Sequence, residues 1–265
     1  MSASGFKRLG IKSGPTECES VALSNEPFQA TKHKHDLIYE VCPLAIRAFF
    51  LGYSFSLGIV NYNTALPKWK GFGIYTVILS TFHVTEFLAV TMTNPMSSSS
   101  DSFVINHSIA YTVAAGISWI EYFMEGYYFP KTKENLIFLI IGVTLCAAGE
   151  LFRKIAIYTA EKNFNHMIQD KKIDGHVLIT HGIYSICRHP SYVGWFYWSI
   201  GTQIILQNPI CLMIYTFISW IFFYDRISIE ETSLLNFFGY SYIQYQNQVR
   251  TGLPFISGCN SLKDC

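Results

Sequence analysis

The sequence predicts an all-α membrane protein, a polytopic transmembrane helical bundle of about six spans with a C-terminal helical hairpin. Three observations support this fold class. Half of the 265 residues are hydrophobic and 16% are aromatic. Only 14% carry a formal charge, well below the roughly 25% typical of soluble domains. The apolar residues also gather into long runs, which water would not tolerate on a globular surface.

Charge and motifs exclude several function classes. The net charge of +1, without a basic cluster, excludes a protein that binds nucleic acid through its phosphates. The seven cysteines are scattered and include no Cys-x-x-Cys pair, so a secreted disulfide scaffold is also excluded. Zinc-ligand spacing, a dinucleotide-binding glycine motif and a serine nucleophile elbow are all missing from the sequence. We therefore expect no metal centre, hydride transfer or hydrolysis.

The chain divides into three predicted regions. Residues 1–40 are polar and form an N-terminal cytosolic segment, residues 41–158 contain four transmembrane helices, and residues 159–265 contain the hairpin at 192–224 and a C-terminal cytosolic segment. Crossing a hydrocarbon core of ~30 Å takes about 20 apolar residues, and six runs approach this length. The runs are Leu44–Val60, Phe72–Thr93, Phe103–Phe123, Leu136–Phe152, Tyr192–Gln207 and Ile210–Tyr224.

The last two runs predict a hairpin whose ends lie at one membrane face. Only Asn208-Pro209, a turn signal, separates them. With the N-terminus in the cytosol, 14 lysines and arginines lie on the cytosolic side and 4 on the other. This asymmetry favours cytosolic termini and a hairpin that opens toward the cytosol.

A polar, turn-forming segment, Thr180 to Gly194, directly precedes and begins the hairpin. Pro190 suits the first turn of a helix, and the residue before it is driven to an extended conformation. We expect the backbone N–H groups of Ser191 and Tyr192 to point out of the helix start and form an anion site. An ordinary capped membrane helix with interfacial aromatics would explain the same residues, and this alternative stays open.

A second polar group follows the hairpin, with Asp225, Arg226, Glu230 and Glu231. Arg226 and Glu230 are four residues apart and share one helix face, whereas Glu231 is turned about 100° away. An arginine can bind a carboxylate through two parallel hydrogen bonds, and Glu230 can accept from hydroxyl or amino groups. A surface salt bridge is the alternative interpretation.

Two ionisable residues, His83 and Glu86, lie three apart inside the second predicted span. One interpretation is that they pair on one face of the helix. Ionisable residues within a membrane span often have a function, but a structural hydrogen bond between helices is the favoured interpretation here.

The sequence resembles the isoprenylcysteine carboxyl methyltransferases from about residue 40 to residue 258. The Arg-His-Pro-x-Tyr pattern with a later Glu-Glu pair is shared with a wider group of membrane methyltransferases and reductases, and the aromatic run after Gly194 is more specific. Animal members carry two further spans before the region that begins here near Leu44. The resemblance rests on His176-Val177-Leu178-Ile179-Thr180, Arg188-His189-Pro190-Ser191-Tyr192-Val193-Gly194-Trp195-Phe196-Tyr197-Trp198, Glu230-Glu231 and Gly252-Leu253-Pro254-Phe255-Ile256.

The resemblance implies that residues 159–265 are catalytic and methylate the C-terminal prenylcysteine left by CaaX processing, with S-adenosylmethionine as the donor. It implies a multi-pass endoplasmic reticulum protein with a cytosol-facing site. The implied partners are prenylated CaaX proteins such as small GTPases, and membrane lipid. By matched position, Arg226 and Glu230 are catalytic, and Arg226 holds the substrate carboxylate. The implied donor site comprises Gln169, His176, Val177, Leu178, Ile179, Tyr184, His189, Pro190, Ser191, Tyr192 and Glu230.

Two alternatives remain at this stage. A phospholipid N-methyltransferase shares the Arg-His-Pro-x-Tyr and Glu-Glu elements, but it must deprotonate an amine and has less use for Arg226. A non-enzymatic transporter or scaffold is the other alternative. A conduction path would need polar residues through the bilayer centre, whereas here they cluster at one membrane face.

Overall fold

The computed structural model describes residues 26–105, 109–169, 171–172 and 175–259, with residues 26–40 as backbone only. The chain divides into two units, Met1–Val41 and Cys42–Cys265. In its described part, the first unit contains the beginning of helix α1. Residues 1–25 of the predicted polar segment lie outside the described residues, and the rest of that segment is helical from Glu26. The predicted division into three regions stays a prediction.

Helices form all the regular structure in the described residues, which confirms the predicted all-α fold class. Short 3-10 turns connect several of the α-helices. The α-helices are α1 (Glu26–Thr64), α2 (Pro67–Thr93), α3 (Ile109–Tyr128), α4 (Leu136–Ala160), α5 (Pro190–Leu206), α6 (Pro209–Phe238) and α7 (Tyr240–Gln248).

The described helices support an integral membrane protein. At 1.5 Å per residue, the 17 residues of α5 extend about 26 Å, slightly less than a hydrocarbon core of ~30 Å. The number of spans, given above as about six, therefore stays a prediction. Four stretches of the described residues are long and apolar enough to cross a membrane, namely Val41–Thr64, Pro67–Thr93, Pro130–Asn163 and Pro209–Phe238.

Glycines let α4 and α5 approach each other closely. A Cβ on Gly149 would lie 2.6 Å from the Gly194 carbonyl oxygen, and one on Gly142 would lie 2.9 Å from the Gly201 carbonyl oxygen. The two pairs run in opposite chain directions, so the helices are antiparallel. Small residues at such contacts allow the backbone-to-backbone packing on which membrane helix association depends. This contact holds the first helix of the hairpin against α4.

A buried polar cluster surrounds the turn between α5 and α6, and we call Ser118, Glu125, Lys133, Gln203 and Asn208 the turn cluster. The fully buried Lys133 ammonium donates to Glu125 at 2.7 Å. It also donates to three oxygens of the turn at 2.9 Å each. The Asn208 amide donates to the Ser118 carbonyl at 2.8 Å, and the Ser118 hydroxyl donates to Gln203 at 2.9 Å. The predicted hairpin is thereby fastened to α3 at its turn.

His83 and Glu86 have different hydrogen-bond partners, so the interpretation that they pair with each other is wrong, whereas Glu86 forms the favoured structural hydrogen bond between helices. The Nδ1 atom of His83 lies 2.8 Å from the Phe103 carbonyl oxygen. Both carboxylate oxygens of Glu86 accept from Nε of Arg153 at 3.0 Å. Glu86 is fully buried, so a permanently charged partner compensates for the lost hydration better than a histidine can.

Candidate functional site

Helix α5 begins at Pro190, a position where the missing N–H has no energetic cost. The N–H of Tyr192 donates to the His189 carbonyl at 3.1 Å. The expectation that this N–H would be available to an anion is therefore wrong, because the tight first turn provides its acceptor. The Ser191 hydroxyl accepts a hydrogen bond from the Arg153 guanidinium at 2.6 Å, so a cation from α4 already contacts this helix start.

The segment after α7 pairs with the residues just before α5. The Arg188 N–H donates to the Arg250 carbonyl at 2.8 Å, and the His189 N–H donates to the Thr251 carbonyl at 3.1 Å. Gly252 follows with a φ of +104°, and a Cβ there would lie 2.7 Å from two neighbouring side-chain atoms. Glycine combines this positive φ with so close an approach. The pairing fixes the position of His189 beside the hairpin.

The adjacent carboxylates Glu230 and Glu231 lie on different sides of α6, as their helical spacing predicts. Glu231 is fully buried and accepts from Arg188 Nε at 2.8 Å and from the Cys259 N–H at 2.7 Å. It also lies 3.0 Å from His189 Nε2. These contacts fasten α6 to the residues before α5. The Glu230 side chain, in contrast, is 31% exposed.

The two ends of the hairpin meet at three side chains, Tyr192, Arg226 and Glu230, which we call the hairpin mouth. The Tyr192 hydroxyl donates to Glu230 and accepts from Arg226 Nε at 3.0 Å. The Tyr192 ring lies parallel to the His189 ring, with centroids 5.5 Å apart. These contacts show that the two ends of the hairpin lie together, as the sequence predicts.

Arg226 has neutral hydrogen-bond acceptors at the hairpin mouth. Besides the Tyr192 hydroxyl, its guanidinium donates to the His166 carbonyl. The ion pairs among the described residues do not include Arg226. Its positive charge can therefore form a strong pair with a carboxylate that enters the site.

The hairpin mouth opens into a cavity of about 140 Å³. A single buried water needs roughly 10–15 Å³ by the same measure, so the cavity can hold a sizeable part of a small molecule. The structure brings together all twelve residues that the resemblance assigned to the site, since each of them lines this cavity. They are Gln169, His176, Val177, Leu178, Ile179, Tyr184, His189, Pro190, Ser191, Tyr192, Arg226 and Glu230.

Two titratable residues of the cavity wall are held neutral. Burial lowers the pKa of His176 below its usual value, and the positive charge of Lys172 lowers it further. Burial raises the pKa of Tyr184 above its usual value, and the negative charge of Glu230 raises it further. At neutral pH both side chains therefore present uncharged aromatic rings to the cavity, a surface suited to a flat or cationic ligand.

Arg153 and His166 are two of the cavity-lining residues that the sequence did not predict, and both can carry a positive charge. Arg153 closes the fourth predicted span, where a cation usually only sets orientation. His166 lies in an irregular segment without a motif. One signal for Arg153 was present in the sequence, because a carboxylate within a span, here Glu86, needs a cationic partner.

A known protein family matches the part of the chain that contains most of the hairpin. The profile of the isoprenylcysteine carboxyl methyltransferase (ICMT) family matches residues 140–236, which include most of α4 and α6 and all of α5. The solved structure of the eukaryotic intramembrane Ras methyltransferase is also similar. It matches with a TM-score of 0.81 and 51% identity, over 87% of this chain and 84% of that chain.

Three proteins named protein-S-isoprenylcysteine O-methyltransferase illustrate the range of similarity. The protein from Tribolium castaneum is 54% identical over 81% of this chain and 76% of its own length. The protein from Homo sapiens is 48% identical over 81% of this chain and 75% of its own length. The protein from Saccharomyces cerevisiae is 39% identical over 88% of this chain and 100% of its own length.

Proposed function

The chain belongs to the isoprenylcysteine carboxyl methyltransferase family, and we propose that its cavity is where a prenylated cysteine is methylated on its C-terminal carboxylate. The enzyme forms a methyl ester on its prenylcysteine substrate. The observation that carries the site assignment is the hairpin mouth, where Arg226 and Glu230 meet through the Tyr192 hydroxyl. The phospholipid N-methyltransferase alternative is not favoured, since the similar curated proteins are named for prenylcysteine.

We propose S-adenosylmethionine as the donor, which supplies an electrophilic methyl group on a sulfonium. The cavity wall fits such a molecule. Tyr184, Tyr192 and Phe237 provide aromatic faces that attract a cation. The partly exposed Glu230 can accept from the amino or hydroxyl groups of the donor. The proposed donor site comprises Gln169, His176 to Ile179, Tyr184, His189 to Tyr192 and Glu230.

Arg226 is the proposed ligand of the acceptor carboxylate. A C-terminal carboxyl group has a pKa near 3.5, so it is already ionised at neutral pH and needs no general base from the chain. The task of the protein is therefore to hold the carboxylate in line with the methyl group, and such positioning can contribute several kcal/mol of the barrier. A guanidinium fixes both the place and the direction of a carboxylate through its fork of donors.

The prenyl tail is the apolar half of the acceptor, and we propose that it enters from the lipid beside the hairpin. Trp195, Phe222 and Phe223 line the cavity on its α5 and α6 side. The Trp195 and Phe223 rings contact each other edge to face, with centroids 6.4 Å apart. We further propose an endoplasmic reticulum location, a cytosol-facing site and prenylated small GTPases as substrates. The similarity to a Ras methyltransferase supports this substrate class.

Separate substitutions in the hairpin mouth test the assignment. Arg226→Ala should raise the KM for a farnesylcysteine acceptor by about 30-fold or more, the effect of losing ~2 kcal/mol of charge pairing, while donor affinity changes little. Glu230→Ala should instead raise the KM for the donor. Initial rates with labelled donor and a short prenylcysteine analogue measure both constants.

Asp225→Ala is the matched control, because Asp225 precedes Arg226 on α6 and is exposed. It should leave both constants unchanged. Near-normal acceptor KM in Arg226→Ala would remove Arg226 from acceptor binding. Equal donor affinity in Glu230→Ala would remove the donor role of Glu230.

A further inference from the structure

The buried carboxylate of Glu86 has more polar partners than charge neutralisation requires. Arg153 pairs with both of its oxygens at 3.0 Å, and Lys154 Nζ lies 2.5 Å from one of them. His166 Nε2 lies 2.8 Å from the other oxygen. Arg153 alone would compensate the charge of Glu86. The contact between Glu86 and His166 is therefore not needed to compensate the charge, and its effect depends on what else His166 contacts.

His166 connects this buried network to the hairpin mouth. Its ring contacts Glu86 on α2, while its backbone carbonyl accepts a hydrogen bond from the Arg226 guanidinium on α6. The residue lies in the irregular segment between α4 and α5 and lines the cavity. A segment without regular structure moves unless it is tied down. The contact with Glu86 fastens the segment that contains His166 to a buried residue of α2.

We propose that Glu86 and His166 are positioning residues that orient the Arg226 guanidinium for the acceptor carboxylate. The hydrogen bond to Glu86 fixes the His166 ring and so restricts the backbone of that residue. The His166 carbonyl then sets the direction of the Arg226 guanidinium. The proposal rests on the proposed role of Arg226 in acceptor binding. A displacement of about 1 Å in a positioned group can reduce a rate by ~10²-fold. Because Arg226 is the proposed ligand of the acceptor carboxylate, the contact acts on acceptor recognition more than on donor recognition.

Substitutions at His166 separate this role from a general loss of structure. His166→Leu and His166→Asn remove the contact with Glu86, because neither side chain places a donor at the end of the histidine ring. Both should raise the acceptor KM by about tenfold and leave the donor KM within about twofold, consistent with a misdirected guanidinium. His166→Gln keeps a donor nitrogen at a similar reach and should restore most of the acceptor affinity.

Lys154→Met is the matched control, since Lys154 also contacts Glu86 but is absent from the cavity wall. It should lower the melting temperature without changing the acceptor KM. An unchanged acceptor KM in both His166→Leu and His166→Asn, or no recovery in His166→Gln, would overturn the proposal. Equal rises in both KM values would also overturn it, as they indicate a general loosening of the site.

The double variant His166→Leu/Arg226→Ala distinguishes this inference from the proposed function. If His166 acts through Arg226, the double variant should have the acceptor KM of Arg226→Ala alone. An additive effect would overturn the positioning role and leave the role of Arg226 intact. If Arg226→Ala itself does not raise the acceptor KM, the proposed role of Arg226 fails first.

Discussion

The two ends of the α5–α6 hairpin differ in how completely their polar groups are paired. At the turn, the Lys133 ammonium contacts four oxygens and its side chain is fully buried. At the mouth, Arg226 donates to a hydroxyl and a backbone carbonyl, and Glu230 is partly exposed. One end is a buried network around Lys133, and the other offers a cation and a carboxylate to a cavity.

This difference indicates which end stabilises the protein and which binds its substrates. A fully satisfied buried network rigidifies a fold, and breaking it leaves a costly unpaired group. Charged groups that lack a full set of partners gain most when a ligand supplies one. Substitutions in the turn cluster should therefore change stability and spare the substrate constants, whereas substitutions at the hairpin mouth should do the reverse.

Lys133→Met should have the largest effect on stability. It leaves Glu125 and the turn oxygens without their cation, and breaking a buried ion pair in this way costs about 3–5 kcal/mol. Thermal unfolding in detergent measures the loss, and the fraction that remains folded should keep both KM values. Lys131→Met changes an exposed neighbour and should shift stability by less than about 0.5 kcal/mol. A raised acceptor KM in Lys133→Met would contradict the separation of the two ends.

The glycine contacts between α4 and α5 allow the same substitution to be made near each end. Gly149→Ala and Gly142→Ala should each lose about 1–3 kcal/mol, because the added methyl meets the backbone of α5. Gly149 contacts Gly194, two residues after Tyr192, whereas Gly142 contacts Gly201 and Ile205. Only Gly149→Ala should therefore also raise the KM for the donor or for the acceptor.

Thermal unfolding and initial rates measure the two glycine variants side by side. Gly116→Ala is the control for an alanine in a helix without a close neighbour, since a Cβ at Gly116 meets nothing within 4 Å. Identical kinetic constants in Gly149→Ala and Gly142→Ala would show that strain at the α4–α5 contact does not reach the hairpin mouth.

Apolar runs located the helices better than they located the helix ends. The start of α4 at Leu136 agrees with the predicted run, but the helix continues to Ala160 instead of ending at Phe152. Similarly, α6 continues to Phe238, beyond the predicted end at Tyr224. Backbone hydrogen bonds continue through polar residues, so an apolar run marks the segment suited to lipid and not the whole helix.

The composition of the cavity followed from sequence wherever its residues flank the hairpin. Tyr192, Arg226 and Glu230 come from the two ends of one predicted element, so a tight turn is enough to bring them together. Arg153 and His166 reach the cavity from other parts of the chain through contacts with Glu86 and Arg226. Helical spacing along one segment carries no information on such contacts between helices.

Acidification should have the smallest effect, and it should act at the mouth end. Because burial and Lys172 lower the pKa of His176 in the folded protein, the unfolded chain takes up this proton first as the pH falls. The stability that neutral His176 contributes is therefore present above about pH 6.5 and is lost as the pH decreases below that value. The difference between the melting temperatures at pH 7.5 and pH 5.5 should be larger in the wild type than in His176→Asn, because asparagine does not titrate. Since the turn cluster contains no histidine, Lys133→Met should keep the pH dependence of the wild type. Loss of that dependence in Lys133→Met would place the sensitive group at the turn and reverse the distinction between the two ends.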